Sequence, residues 1–367
     1  MSTANTLPIV RPEQVDAAWM TAALGRAGLP GRVVAVQGKR VGTGQVGLSV
    51  RFDLTWADAP ADAPATVVGK FAAADPVSRE AGIRFGNYVR EVNFYRELAA
   101  TALVATPRCL HADIDAGIDG ASGEFVLLME DLAPAVQGDQ TVGLTLPEVV
   151  LALDEAAKLH ASHWGDDALD ATPWFFEGAA APRTIDGGVV EGLWAGFRAR
   201  YGDRVTADDV RIGDAIVRDY EKYKFGYRGP KCLTHNDFRP DNMMFGTPAG
   251  GRPVTVVDWQ TLGYGCCMAD VAYFLAGALP LEQRRANERA LLQGYHARLC
   301  ALGVTGYGFD ALWRDYARYG FALFVMAFTA SMVVERTPRG DEMFFAMLHD
   351  SAAMILDCDS IGVLRAE

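Results

Sequence analysis

Two short stretches of the sequence carry groups whose types and spacing suit one chemistry. The first, Leu233-Thr-His-Asn-Asp-Phe-Arg-Pro-Asp-Asn242, contains His235-x-Asp237-x4-Asn242. The second, Val254-Thr-Val-Val-Asp-Trp-Gln260, is an apolar run that ends on the carboxylate of Asp258. Transfer of a phosphoryl group from ATP requires a carboxylate that orients the accepting hydroxyl and takes its proton. It also requires an amide oxygen and a second carboxylate that hold Mg2+ against the phosphates. Asp237, Asn242 and Asp258 supply those three groups in that chain order. His and Asn are scarce residues, so an HxDxxxxN pattern seldom arises by chance, and the Asp-ended strand downstream makes coincidence rarer.

This pattern resembles the kinase-like phosphotransferases of the aminoglycoside phosphotransferase and choline kinase superfamily. HNDFRPDN, DWQ and Met268-Ala-Asp-Val-Ala-Tyr-Phe274 look most similar to its ecdysteroid-kinase-like branch. The resemblance covers most of the chain, from about residue 36 to the helices after 330. It implies an α+β, bilobal, protein-kinase-like fold. A small antiparallel-β lobe with a helix would occupy 1–131, and a larger, mainly helical lobe 132–367. It further implies ATP and Mg2+ as cofactors, Asp237 as catalytic base, and Asn242 and Asp258 as metal ligands. His235 would brace the loop and Asp270 would anchor it from the following helix. Arg239 occupies the place of a lysine that many protein kinases use near the transferred phosphate. It either steadies charge there or bridges to an Asp on the surface, and both readings stay open. Asp258-Trp259-Gln260 stands where protein kinases have Asp-Phe-Gly, and no Ala-Pro-Glu segment or long activation segment precedes Asp270. Those departures favour a small hydroxyl-bearing molecule over a protein as acceptor.

Other residues fall where such a fold needs them. Val67-Val68-Gly69-Lys70 closes a third strand, where kinases keep the lysine that meets the α- and β-phosphates. Some twenty residues on, Arg90-Glu91-Val92-Asn93-Phe94-Tyr95 resembles the family's E-x-x-F-Y segment, which makes Glu91 the expected partner of Lys70 and Glu97 the second choice. Gly42-Thr-Gly-Gln-Val-Gly47 reads GxGxxG, but a strand follows instead of the helix that a dinucleotide site requires. Strand–turn–strand fits a flap whose glycines Gly42, Gly44 and Gly47 let backbone N–H groups approach phosphates, with Ser49 nearby; an ordinary hairpin turn is the alternative. By resemblance, Glu130 (carbonyl) and Leu132 (amide) would meet the adenine edge at the crossover, with Met129 lining the pocket. A catalytically silent kinase-like fold that binds a nucleotide or a partner is the competing reading; Lys70, Asp237, Asn242 and Asp258 are all present.

The elements that must position these groups are legible as changes of period. Residues 12–29 read as a helix, then 32–41, 46–56 and 65–74 as a three-strand meander, with a helix over 78–102 and strands over 108–114 and 124–129. Beyond Leu132 the pattern turns helical. Thr145-Leu-Pro-Glu148 has the form of a capping box, and helices are expected at 188–202, 206–224, 281–303, 308–334 and 340–356 around a β-containing island at 231–260. No repeat emerges.

Composition sets the outer bounds. A chain of 367 residues, 50% hydrophobic and 22% charged, can bury a large core and is long enough for two lobes. Its net charge of −12 argues against sequence-independent binding to nucleic acid or anionic membrane. Six cysteines without CxxC pairing, set mostly in apolar runs, read as reduced thiols, and no signal-peptide pattern opens the chain, so a cytoplasmic setting is expected. The longest apolar run, about 14 residues at 321–334, is short for a bilayer span and reads as a core helix. His160 and His163 lie three apart without a third ligand in reach of the pattern, and neither G-x-S-x-G nor H-E-x-x-H occurs. Acceptor identity and oligomeric state are not written in the sequence.

Overall fold

The computed structural model describes residues 7–42, 46–115, 123–176, 185–334 and 336–367. The chain folds as two units. The first holds residues 1–101, 106–134 and 257–261; the second holds 102–105, 135–256 and 262–367. Asp258 belongs to the first unit.

The first unit is an antiparallel sheet ordered β1-β2-β3-β5-β4. Its strands are β1 (Arg32–Val41), β2 (Gly47–Asp58), β3 (Thr66–Ala72), β4 (Cys109–Ile114) and β5 (Phe125–Glu130). Successive side chains on a strand point to opposite faces, and β3 obeys this closely. Val67, Gly69 and Phe71 are buried, while Val68 and Lys70 alternate with them. The buried face packs on helix α1 (Ala17–Arg26) through Trp19, Met20 and Leu24, joined by Val33, Phe52, Leu110 and Leu128. The helix expected over 12–29 is shorter because Asp16 caps it, accepting from the Trp19 amide at 2.7 Å, and Gly28 leaves it at φ +82°. The stretch expected as one helix over 78–102 is α2 (Pro76–Arg84), α3 (Asn87–Asn93) and a π-turn (Phe94–Leu98). Gly86 divides them at φ +69°, a conformation that a residue with a Cβ rarely adopts.

The second unit is mainly helical. In chain order it contains β6 (Val136–Gln137), α4 (Leu146–Ser162), α5 (Gly187–Tyr201), α6 (Ala207–Arg218), α7 (Tyr220–Phe225), β7 (Cys232–Thr234), β8 (Met243–Thr247), β9 (Gly250–Val256) and β10 (Gly263–Gly265). Then come α8 (Met268–Ala278), α9 (Leu281–Ala301), α10 (Phe309–Arg318), α11 (Ala322–Val333), α12 (Pro338–Asp357) and α13 (Ser360–Ala366). The capping box forms at the start of α4, where Thr145 and Glu148 exchange hydrogen bonds. Two expected helices break: 206–224 at Asp219, and 308–334 at the short turn Tyr319–Phe321. Phe309–Val333 is long and apolar enough to cross a bilayer by length and composition, but most of it, including Tyr316, Leu323, Phe324 and Phe328, is buried within the unit. The small sheets are β6-β8-β9 and β10-β7.

Candidate active site

The residues singled out by pattern fall into two sets, one in each unit. In the first, the Lys70 ammonium lies 2.6 Å from Glu91 Oε2 and 3.0 Å from Asp258 Oδ1. Strand alternation puts Lys70 on the face away from α1, and α3 brings Glu91 to it. The pair is nearly enclosed, with side-chain exposures of 12% and 3%. Burial opposes the charge on Lys70, but Asp258 and Glu91 outweigh it and hold the amine above its usual range. Burial pushes the Glu91 carboxyl up to about 7, against the pull of Lys70 and with help from Asp258. Glu97 is exposed on the π-turn and takes no part.

Asp258 reaches this set because its neighbours are bolted to the unit. Trp259 is fully buried, stacks on Phe94 with ring centroids 3.9 Å apart, and donates from Nε1 to Thr106 Oγ1 at 2.9 Å. The Gln260 carbonyl accepts from Arg90 at 3.3 Å. The tryptophan that replaces a phenylalanine therefore has a packing reason, and the F of E-x-x-F-Y is what it packs on. Asp258 itself is held at φ +68°, a strained conformation for a residue with a Cβ.

The glycine hairpin is placed by register. Ser49 lies directly opposite Lys70, and Gly47 opposite Ala72, in the β2–β3 ladder. Gly42 adopts φ +72°, which calls for glycine, while Gly44 lies outside the described residues. Tyr88, which the sequence reading passed over, ties the hairpin down: its hydroxyl donates to the Val46 carbonyl at 2.7 Å and accepts from the Ala73 amide at 3.2 Å. Met129 and Glu130 end β5, and Leu132 follows half-buried. Glu130 Oε1 accepts from the Arg108 amide at 2.8 Å. Asp131, also passed over, fixes the exit of β5. Although burial works against it, Thr66, the Ala133 amide and Arg51 hold its carboxyl below the usual range.

In the second unit the loop between β7 and β8 alternates like a strand. Phe238, Pro240 and Asn242 are buried, while Asp237, Arg239 and Asp241 are half-exposed. Phe238 packs edge-on against Phe274 and His235, which seats the loop on α8. Asn242 Nδ2 donates both hydrogens, to the Asp237 carbonyl at 2.9 Å and to Asp237 Oδ2 at 2.8 Å. That fixes the amide orientation and leaves its oxygen as the atom able to ligate a cation. The other carboxylate oxygen, Oδ1, accepts from the Tyr273 hydroxyl at 3.0 Å and faces Arg239 Nε at 3.2 Å. Arg239 also meets Asp241 at 3.2 Å, so it bridges two carboxylates.

Asp270, fully buried on α8, accepts from the backbone amides of His235 and Asn236 at 2.6 and 2.7 Å. His235 turns its Nδ1 to the Asp237 amide at 3.3 Å, bracing the loop from within. Asn236 takes φ +60°, which Asn tolerates better than most residues. His160 completes the support: it is wholly buried, with Nε2 3.1 Å from Asp270 and Nδ1 2.7 Å from the Tyr295 hydroxyl. His160, set aside as a metal ligand for want of a third partner in the pattern, holds the anchor, and His163 turns to Asp166. Among the described residues no cluster of three or more His, Cys, Asp or Glu is arranged for a metal. The Asn242 amide oxygen and, in the other unit, the Asp258 carboxylate are each hard oxygen donors of the type that Mg2+ takes.

A protein-family model described as the phosphotransferase enzyme family matches residues 77–308. No curated protein matches the chain in sequence. Among solved structures, a microcompartment-associated aminopropanol kinase is similar at a TM-score of 0.55 and 14% identity, covering 95% of this chain and 100% of that one. A choline/ethanolamine kinase family protein from Mesorhizobium loti follows at 0.52 and 15%, covering 90% and 93%. A variant of an aminoglycoside 2′-phosphotransferase of type IIIa, in complex with GDP, stands at 0.50 and 12%, covering 88% and 91%. At these identities the likeness is one of fold.

Proposed function

This chain belongs to the phosphotransferase enzyme family, and from that premise we propose that it moves the γ-phosphoryl group of ATP to the hydroxyl of a small molecule. The observation that carries the reading is the dressing of Asp237. Its partner Asn242 spends both amide hydrogens on it and keeps a carbonyl oxygen for a cation.

Asp237 orients the acceptor hydroxyl and takes its proton. As the acceptor oxygen bonds to the γ-phosphorus, the bond to the β-bridging oxygen breaks and its electron pair leaves with ADP. Lys70, kept charged by Glu91, pairs with the α- and β-phosphates, and Gly42, Gly47 and Ser49 belong to the hairpin that covers them. Glu130 and Leu132 offer backbone groups to the adenine edge beside Met129. Asn242 and Asp258 are the residues that would hold Mg2+, which would offset negative charge on the phosphate oxygens. Arg239 screens charge beside the base. Most of the catalysis is positioning and electrostatics, since little covalent work falls to the protein.

ADP release measured over a panel of amino alcohols, aminoglycosides and simple alcohols tests this. Some acceptor should stimulate release, and Asp237→Asn should abolish that turnover while ATP with Mg2+ still raises the melting temperature. Near-wild-type turnover in the variant defeats the assignment.

A further inference from the structure

α8 grips the catalytic loop at two points one helical turn apart. Asp270 takes the backbone amides of His235 and Asn236, and Tyr273, three residues later on the same face, reaches the side chain of Asp237. A carboxylate oxygen offers two lone pairs. On Asp237 Oδ1 the Tyr273 hydroxyl is the hydrogen-bond donor, at 3.0 Å, and the Arg239 guanidinium stands beside the same oxygen as an ion pair, with Nε at 3.2 Å. On Oδ2 a single donor, Asn242 Nδ2 at 2.8 Å, is present among the described residues.

We propose that Tyr273 is a positioning residue that, by its hydrogen bond and beside the Arg239 ion pair, occupies Asp237 Oδ1 and so reserves Oδ2 as the oxygen that receives the acceptor's proton. The inference rests on Asp237 being the base. Tyr273 is 5% exposed, so its ring is fixed by packing and its hydroxyl has little choice of acceptor. Burial, reinforced by the adjacent Asp237, raises its phenol well above the usual range, which keeps the O–H a donor. Without that donor a lone pair opens on Oδ1, and the carboxylate presents two unequal oxygens to the acceptor. Only one lies beside Asn242.

Tyr273→Phe isolates the point, because it deletes one oxygen and keeps the ring. The assay is ADP release from ATP with Mg2+, using the fastest acceptor of the panel, water included. Loss of a hydrogen bond to an ionised group should lower kcat roughly ten- to a hundredfold. KM for ATP should stay within about twofold, since the lost group acts on a step and not on nucleotide binding, while the urea midpoint should fall only modestly with the lost hydrogen bond and the variant stay folded at the assay temperature. An unchanged kcat overturns the inference, as does a loss of kcat accompanied by an equal rise in KM. Asp237→Asn runs in parallel. If it retains turnover, or if wild type releases no ADP with any acceptor, the proposed function fails and this inference with it. If Asp237→Asn is dead and Tyr273→Phe is not impaired, only the inference fails.

Discussion

Around Lys70 three titratable groups meet from positions 70, 91 and 258, two carboxylates on one ammonium, with Lys70 and Glu91 nearly enclosed and Asp258 partly exposed. Around Asp237 the partners are Arg239 and Asn242 from the same loop and Tyr273 from the helix that seats it. The first set is assembled from distant chain segments and balanced by charge. The second is assembled locally and balanced by hydrogen bonds that leave few donors idle. The difference has an energetic consequence. A buried charge set can relieve an unfavourable charge by taking up a proton, the direction in which burial pushes the Glu91 carboxyl, whereas backbone amides that lose their acceptor have no such escape.

Three experiments bear on that contrast. The largest effect should come from Trp259→Ala, which unbolts the distant carboxylate: emptying a fully buried stacking site should cost about 3–5 kcal/mol of unfolding free energy, read by urea denaturation. A cost under about 1 kcal/mol would mean that Asp258 is held some other way. Asp270→Asn comes next. The new amide group cannot accept from the His235 and Asn236 amides with both atoms, so about 2–4 kcal/mol should be lost, with no gain on moving from pH 7.5 to 5. Recovery at the lower pH would erase the distinction drawn between the two sets.

The smallest and most diagnostic change is Glu91→Gln. A carboxyl whose folded pKa is raised from 4.5 to about 7 contributes stability that is complete below 4.5 and is lost as pH rises through 7. Relative to wild type, the Gln variant should therefore become more stable across that window, seen as a rising difference in urea midpoint between pH 5 and pH 7.5. A difference independent of pH would show that Glu91 is ionised throughout.

How much of this was readable beforehand differs between the sets for the same reason. The loop motif is contiguous, so Asp237 and Asn242 were visible as spacing, while the bracing role of His235 and the anchoring role of Asp270 came from the resemblance. Tyr273 had a signal too, since it follows Asp270 by three on a helix, but its aromatic ring read as core. Lys70 and Glu91 were visible only through resemblance, because a lysine on a strand and a glutamate on a helix are common and mean nothing singly. Asp131 and Tyr88 gave no signal, and Trp259 stood out only as a departure from Asp-Phe-Gly, without its packing role: each acts through partners such as Thr66, Val46 and Phe94, which lie far off in sequence.

The sequence by itself determined the strand period that points Lys70 away from the α1 core, the capping boxes and glycines that end the helices, and the order of Asp237, Asn242 and Asp258. These are local properties, set by backbone stereochemistry and side-chain alternation within a few residues. Tertiary structure alone decided that 257–261 joins the first unit, that His160 serves Asp270 and not a metal, and that Tyr273 meets Asp237. Each of those is a contact across tens of residues or more, fixed by which buried polar groups can find partners once the apolar core has closed around them.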